Sequence, residues 1–210
     1  MSQVITPAAA PGKPRSFLIF TIAAWSGYFV MALELLAGRM TAPYFGTGIY
    51  VWGAVITVFM LALAAGYLLG GMLSTRNPRV SRLGGLLTIA ALSALPVALL
   101  SEPCFEWIFD HVHDPRYGSL LGATLLFFIP TGISGAISPY AVRLLVTQAQ
   151  RSGFSAGRLY FVSTFGSAAG TIMTSFYLVL LFDVNQIVGG MIAISCVLGL
   201  ATLGVRKWLG

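Results

Sequence analysis

The chain has 210 residues, of which 57% are hydrophobic and 9% charged. Soluble domains carry about 25% charged residues, so the composition excludes a water-soluble globule and points to a membrane protein. The net charge of +6 calls for no nucleic-acid partner, because the placement of the basic residues accounts for it.

In chain order, residues 1–16, rich in Ala and Pro, are expected to form a disordered cytoplasmic tail, with no cleavage site of a signal peptide after it. Residues 17–210 form one domain with six apolar spans, about 17–37, 50–71, 83–101, 119–138, 159–181 and 186–204. Each is near the ~20 residues needed to cross a bilayer. Gly38–Gly48 is predicted to be an outer turn, Thr75–Arg82 a cytoplasmic turn broken by Pro78, and Thr147–Arg158 a longer cytoplasmic loop. Between the third and fourth spans, Phe105, Ile108, Phe109 and Val112 follow at the spacing of one helical face. Glu106, Asp110, His113 and Asp114 occupy the other side, which predicts a short amphipathic helix on the outer interface, ended by Asp114-Pro115. The predicted fold is therefore an all-α polytopic membrane bundle of six helices with an added interfacial helix.

The gaps between spans alternate in charge. Lys13 and Arg15, then Arg76, Arg79 and Arg82, then Arg143, Arg151 and Arg158, then Arg206 and Lys207 occupy one set. The other set holds Glu102, Glu106, Asp110, Asp114 and Asp183, with Arg39 and Arg116 as its basic residues. Short Lys/Arg-rich loops remain cytoplasmic, so both termini are expected inside. The basic side would face anionic lipid headgroups.

Glu34 is the acidic residue within a span, and a carboxylate in hydrocarbon is costly. It is read either as a cation or proton site or as half of an ion pair with Arg39, five residues on. Glu106, Asp110 and Asp114 join it as cation-binding candidates on the outer side. His111 and His113 diverge on a helix and make no metal site. Gly66 and Gly70, and Gly166 and Gly170, put small residues on single faces where neighbouring backbones can approach closely. Their function is either a moving, substrate-lining seam or static packing. Ala42-Pro43-Tyr44 after span one and Ser138-Pro139-Tyr140 after span four hint, with these glycines, at two inverted three-helix units. Pro96, Pro130 and Pro139 interrupt spans. Cys104, placed in an outer loop, and Cys196, in the last span, are too far apart to bridge. No phosphate loop, zinc motif or nucleophile elbow is present, so the chain is read as a non-enzyme without a cofactor.

Leu33-Glu34-Leu-Leu-Ala-Gly-Arg39, Ala42-Pro43-Tyr44-Phe45-Gly46, Tyr50-Val51-Trp52 and Gly66-Tyr-Leu-Leu-Gly70-Gly71 form one set of motifs. Gly157-Arg158-Leu-Tyr160 and Thr164-Phe165-Gly166-Ser-Ala-Ala-Gly170 form a second, with Ser163 where Asn is usual. Together they resemble the membrane domain of bacterial spermidine-synthase-like, or fused major-facilitator/spermidine-synthase, proteins. The resemblance implies a multi-pass protein of the bacterial inner membrane. In that family a soluble aminopropyltransferase-like domain typically follows, binding a decarboxylated S-adenosylmethionine-type donor and a polyamine. The sequence ends at Gly210, so the expectation is a membrane module acting as anchor or cation/polyamine conduit for a separate soluble aminopropyltransferase-like partner. The alternative is a non-catalytic accessory subunit stabilising a larger membrane complex.

Overall fold

The computed structural model describes residues 13–75, 77–146 and 152–208. Most of the expected N-terminal tail, Arg76, and the link 147–151 with its Arg151 lie outside the described residues. Helix α1 runs over Lys13–Phe45, α2 over Ile49–Ser74, α3 over Val80–Ser93, α4 over Leu95–His111 and α5 over Pro115–Leu145. Then come α6 (Ser152–Met173), a π-helical turn (Thr174–Leu178), α7 (Val179–Leu181) and α8 (Val184–Trp208). Among the described residues there is no strand. Six stretches are long and apolar enough to cross a membrane: Arg15–Phe45, Ile49–Ser74, Val80–His111, Pro115–Leu145, Ser152–Leu181 and Val184–Thr202. The chain is thus a multi-pass, all-helical membrane protein. Helices suit this setting because they satisfy their own backbone groups where no water can.

The helices extend further than the apolar runs. The first continues through Pro43 to Phe45, and the expected turn at Gly38–Gly48 contracts to residues 46–48. Thr41 helps carry the helix on by returning its hydroxyl to the carbonyls of Ala37 and Gly38, both at 3.0 Å. Reversal waits for Gly46, whose φ of +80° favours a residue without a Cβ. Helix α6 likewise begins at Ser152, so residues 152–158 are helical rather than loop. Lys13–Ser16 belong to α1, not to a tail. Pro130 and Pro139 lie inside the continuous α5, whereas Pro96 starts α4 after a break at Ala94.

The segment expected as a separate interfacial helix is the last part of α4, so the third span continues through it. Part of its apolar face is turned to protein, Phe105 at 1% and Ile108 at 0% exposed, whereas Phe109 remains 54% exposed. The two buried side chains fit over Gly122 of α5, where a Cβ would meet the Phe105 ring and the Ile108 methyl. The helix ends at His111, before Asp114-Pro115. Asp114 instead caps α5, its Oδ1 accepting from the Arg116 amide at 2.9 Å. Cys104 lies within α4, and both cysteines are free.

Three close helix pairs organise the bundle. Helix α2 lies parallel along α5: a Cβ at Gly66 would strike the Gly132 carbonyl, and one at Gly70 the Ala136 carbonyl. Helix α1 lies parallel along α6, with Gly166 against Ala24 and Gly170 against Tyr28. Helix α3 runs antiparallel to α8, Gly84 facing Gly199 and Thr202. Exchanging spans one, two and three with four, five and six returns the same three pairs, as two inverted units require. The register departs from that symmetry. Gly132 lies seven residues before Pro139, whereas Ala24 lies nineteen before Pro43.

Hydrogen bonds tie the pairs together. The Trp25 Nε1–H donates to Ser195 Oγ at 2.7 Å, joining α1 to α8. Ser26 Oγ donates to the Ser134 carbonyl at 3.2 Å, joining α1 to α5. Buried Tyr140 accepts from the Arg79 amide at 2.9 Å and donates to its carbonyl at 3.2 Å, fixing the α2–α3 link to α5. Protein covers 61% of the apolar window of α5 but 17% of that in the α6–α7 span. So α5 is central and α6 peripheral.

Substitution tests the backbone seats. Gly66→Ala and Gly166→Ala should each destabilise the bundle by about 1–3 kcal/mol, since the new methyl meets backbone that cannot rotate away. Gly71→Ala, with open space at its Cβ, should leave thermal unfolding in detergent unchanged. Equal midpoints for all three would remove the close seams as the basis of packing.

Candidate functional site

Glu34 lies eleven residues before the end of α1, about 16 Å along the axis at 1.5 Å per residue. It is therefore deeper than a span ending at residue 37 implied. It is half-buried, while Arg39 is exposed. The expected ion pair between them does not form. On an unbroken helix a separation of five places two side chains about 140° apart, and α1 is unbroken here. An ion pair does form between Arg116 and Asp114, 3.7 Å, on the α5 N-terminus.

The other acidic candidates do not gather around Glu34. Glu106 and Asp110 are exposed on α4, and Asp114 serves as the α5 cap. Helix α1 meets α4 near its end, where the Tyr44 and Phe105 rings stack at 5.6 Å. Glu34 is ten residues earlier, about 15 Å down the helix. The four candidates therefore divide into one carboxylate within a span and a solvated acidic helix end. His111 is held by Trp107, its Nδ1 2.7 Å from that residue's carbonyl and its ring stacked at 4.5 Å. Among the described residues no three His, Cys, Asp or Glu side chains converge.

The surroundings of Glu34 follow from helix register. A Cβ at Gly27 would meet the Ser163 carbonyl and Ser167 Oγ, and Gly170 seats on Tyr28. Seven residues further along both helices, nearly two full turns, come Glu34 on α1 and Thr174 on the α6 span. In a parallel pair these two lie at the same depth, and each sits about 20° from the face of its Gly27 or Ser167 reference. Helix α1 does contact the π turn that begins at Thr174.

The hydroxyls of this seam are mostly engaged by their own helix. Ser167 donates to the Ser163 carbonyl at 3.2 Å, Thr171 to the Ser167 carbonyl at 3.0 Å, and Ser175 to the Thr171 carbonyl. Thr174 is different: it is fully buried and its Oγ1 has no partner. Thr131 Oγ1 and Ser134 Oγ on α5 share that condition, Ser134 standing where Ser26 bonds its carbonyl. Buried polar atoms without partners are uncommon. Here the backbone also widens into a π turn, a feature frequent at functional sites. Carboxylate and hydroxyl oxygens offer lone pairs, which suit a hard cation, an ammonium group or a proton.

The chain matches no protein-family model, no curated protein and no solved structure.

The four glycines named from sequence do form backbone seats. Sequence reasoning missed Thr174, Thr131 and Ser134, and the π turn. The one available signal was the spacing Ser163, Ser167, Thr171, Thr174, Ser175, a hydroxyl stripe at helical period.

An unpartnered buried hydroxyl costs stability, so the near-isosteric Thr174→Val should hold or raise the unfolding midpoint, by up to about 1–3 kcal/mol. Trp25→Phe, which removes the bond to Ser195, should cost about 1 kcal/mol. Scanning fluorimetry in detergent reads both. A large loss in Thr174→Val would mean that the hydroxyl holds the empty protein together.

Proposed function

We propose that the chain is a module of the bacterial cytoplasmic membrane that binds a small cation at Glu34 and conducts it, with an ammonium-bearing polyamine as the substrate class. The observation that carries this reading is a span carboxylate with no ion-pair partner, level with the unpartnered Thr174 hydroxyl and the π turn. Structural carboxylates within membranes are ordinarily paired, and unpaired ones mark ion or proton paths. The motifs around Glu34 and Gly166, which resemble spermidine-synthase-like membrane domains, support the substrate class. They also support a separate soluble aminopropyltransferase-like partner. The segregation of basic residues supports cytoplasmic termini. The acidic end of α4 then faces outward, where it would concentrate cations.

An accessory role in a larger complex is the second reading. It is favoured by α6 and the π turn after it, whose Phe154, Phe161, Phe165 and Phe176 are exposed. Purification in mild detergent followed by mass spectrometry separates the two. A fixed set of co-purifying membrane subunits favours the accessory role, and a lone species disfavours it.

Spermidine flux into proteoliposomes tests the conduit. Wild type should carry labelled spermidine, Glu34→Gln should slow it about tenfold, near 1.4 kcal/mol, and Glu34→Asp should recover part. Absence of wild-type flux for spermidine and for simple cations would sink the conduit. Equal flux in Glu34→Gln would remove Glu34 from it.

A further inference from the structure

At the opposite end of the α1–α6 seam a cleft of about 590 Å³ is lined by Phe20, Gly153, Phe154, Gly157, Arg158 and Phe161. That volume lies within the range of small-molecule sites, about 300–1,000 Å³. Its one charged side chain is Arg158. The guanidinium carbon lies 5.3 Å from the Phe20 ring centroid and 5.8 Å from that of Phe154. Cation–π contact holds the face of the guanidinium and leaves its N–H edges free. Gly153 and Gly157, one turn apart, have open space where side chains would be.

No acidic side chain of this chain can neutralise Arg158. All six, Glu34, Glu102, Glu106, Asp110, Asp114 and Asp183, lie within α1 or at the other end of the bundle. The cleft shares its end with Arg15, Arg79, Arg82 and Arg143. Its walls are aromatic, and it opens on the helix least covered by protein. A fixed, uncompensated guanidinium above apolar walls matches a phosphodiester joined to acyl chains. The phosphate accepts from the N–H edge, and an acyl chain lies along Phe154 and Phe161.

We infer that the cleft formed by Phe20, Phe154, Gly157 and Arg158 binds one anionic phospholipid from the leaflet at the Arg-rich end. Arg158 takes the phosphate, and the second negative charge or hydroxyls of the headgroup face the neighbouring basic side chains. Zwitterionic lipid of equal chain length fits the walls but places its own cation against the Arg-rich end.

Native mass spectrometry of the full chain, with phosphatidylglycerol and phosphatidylcholine of identical acyl chains, tests this. Wild type should retain one phosphatidylglycerol per chain with about tenfold preference. Arg158→Gln should abolish the preference, and Gly157→Leu, which fills the cleft, should lower retention of both lipids. Arg143→Gln, at the same end but outside the cleft, should keep the preference. Equal retention of both lipids by wild type would overturn the assignment. So would equal loss of preference in Arg143→Gln and Arg158→Gln, which would place it in the basic end as a whole. A photoactivatable phosphatidylglycerol gives a readout on the wild-type chain alone: crosslinks to Phe20 or to residues 153–162 support the site, and crosslinks confined elsewhere refute it.

Discussion

Apolar side chains gain little by exchanging lipid for protein, because hydrocarbon surrounds them either way. Association of these helices therefore depends on how closely their backbones approach. The bundle meets this condition at Gly66 and Gly70 on α5, at Gly166 and Gly170 on α1, and at Gly84 on α8. Each seat faces a carbonyl or another small residue, so close contact replaces the missing hydrophobic drive with dispersion. The pairing of spans one with five, two with four and three with six follows from which helices carry such seats.

The same environment disciplines polar groups. Most of the Ser and Thr hydroxyls with a resolved acceptor return to a carbonyl three or four residues back, as Thr41, Thr88 and Ser119 do. A few reach across: Trp25 to Ser195, Ser26 to the Ser134 backbone, Tyr140 to Arg79. The Ser26 bond ties α1 to α5, the Trp25 and Tyr140 bonds tie that centre to α8 and to the α2–α3 link, and none of these three reaches α6. Helix α6 is held to α1 by small-residue contact and by Arg158 over Phe20. It is the span with the least protein cover.

The six spans and their alternation were legible in the sequence, because a long apolar run has few other outcomes. Helix ends were not. Pro43 and Gly38 look like turn residues, yet α1 passes both, since nothing at that depth competes for the backbone. The face Phe105, Ile108, Phe109 and Val112 was legible as a face but not as to its target. The space over Gly122 of α5, remote in sequence, decides that Phe105 and Ile108 meet protein. Glu34 stood out as a charge within a span. Its neighbours did not, because Thr174 becomes distinctive only when burial leaves its hydroxyl without a partner. The Arg39 pairing failed on helix geometry alone, once the helix was seen not to end between them.

The two proposed sites share one seam. From the level of Phe20 and Arg158 to that of Glu34 and Thr174 is about 14 to 16 residues, some 21–24 Å along the helices. A lipid held across Phe20 and Phe154 would pin α1 to α6 at the Arg-rich end. Movement of α6 would then be a pivot about that end, with its largest excursion at the π turn, where the helix already departs from α-helical bonding. Such a pivot exposes Glu34 without unseating the central α1–α5 contact. A cation entering there would replace the dispersion lost between α1 and α6 with contacts to the carboxylate and to the Thr174 hydroxyl. The anionic lipid and the cation of the two proposals would therefore act on one helix pair from opposite ends, the first setting the hinge and the second stabilising an opened state.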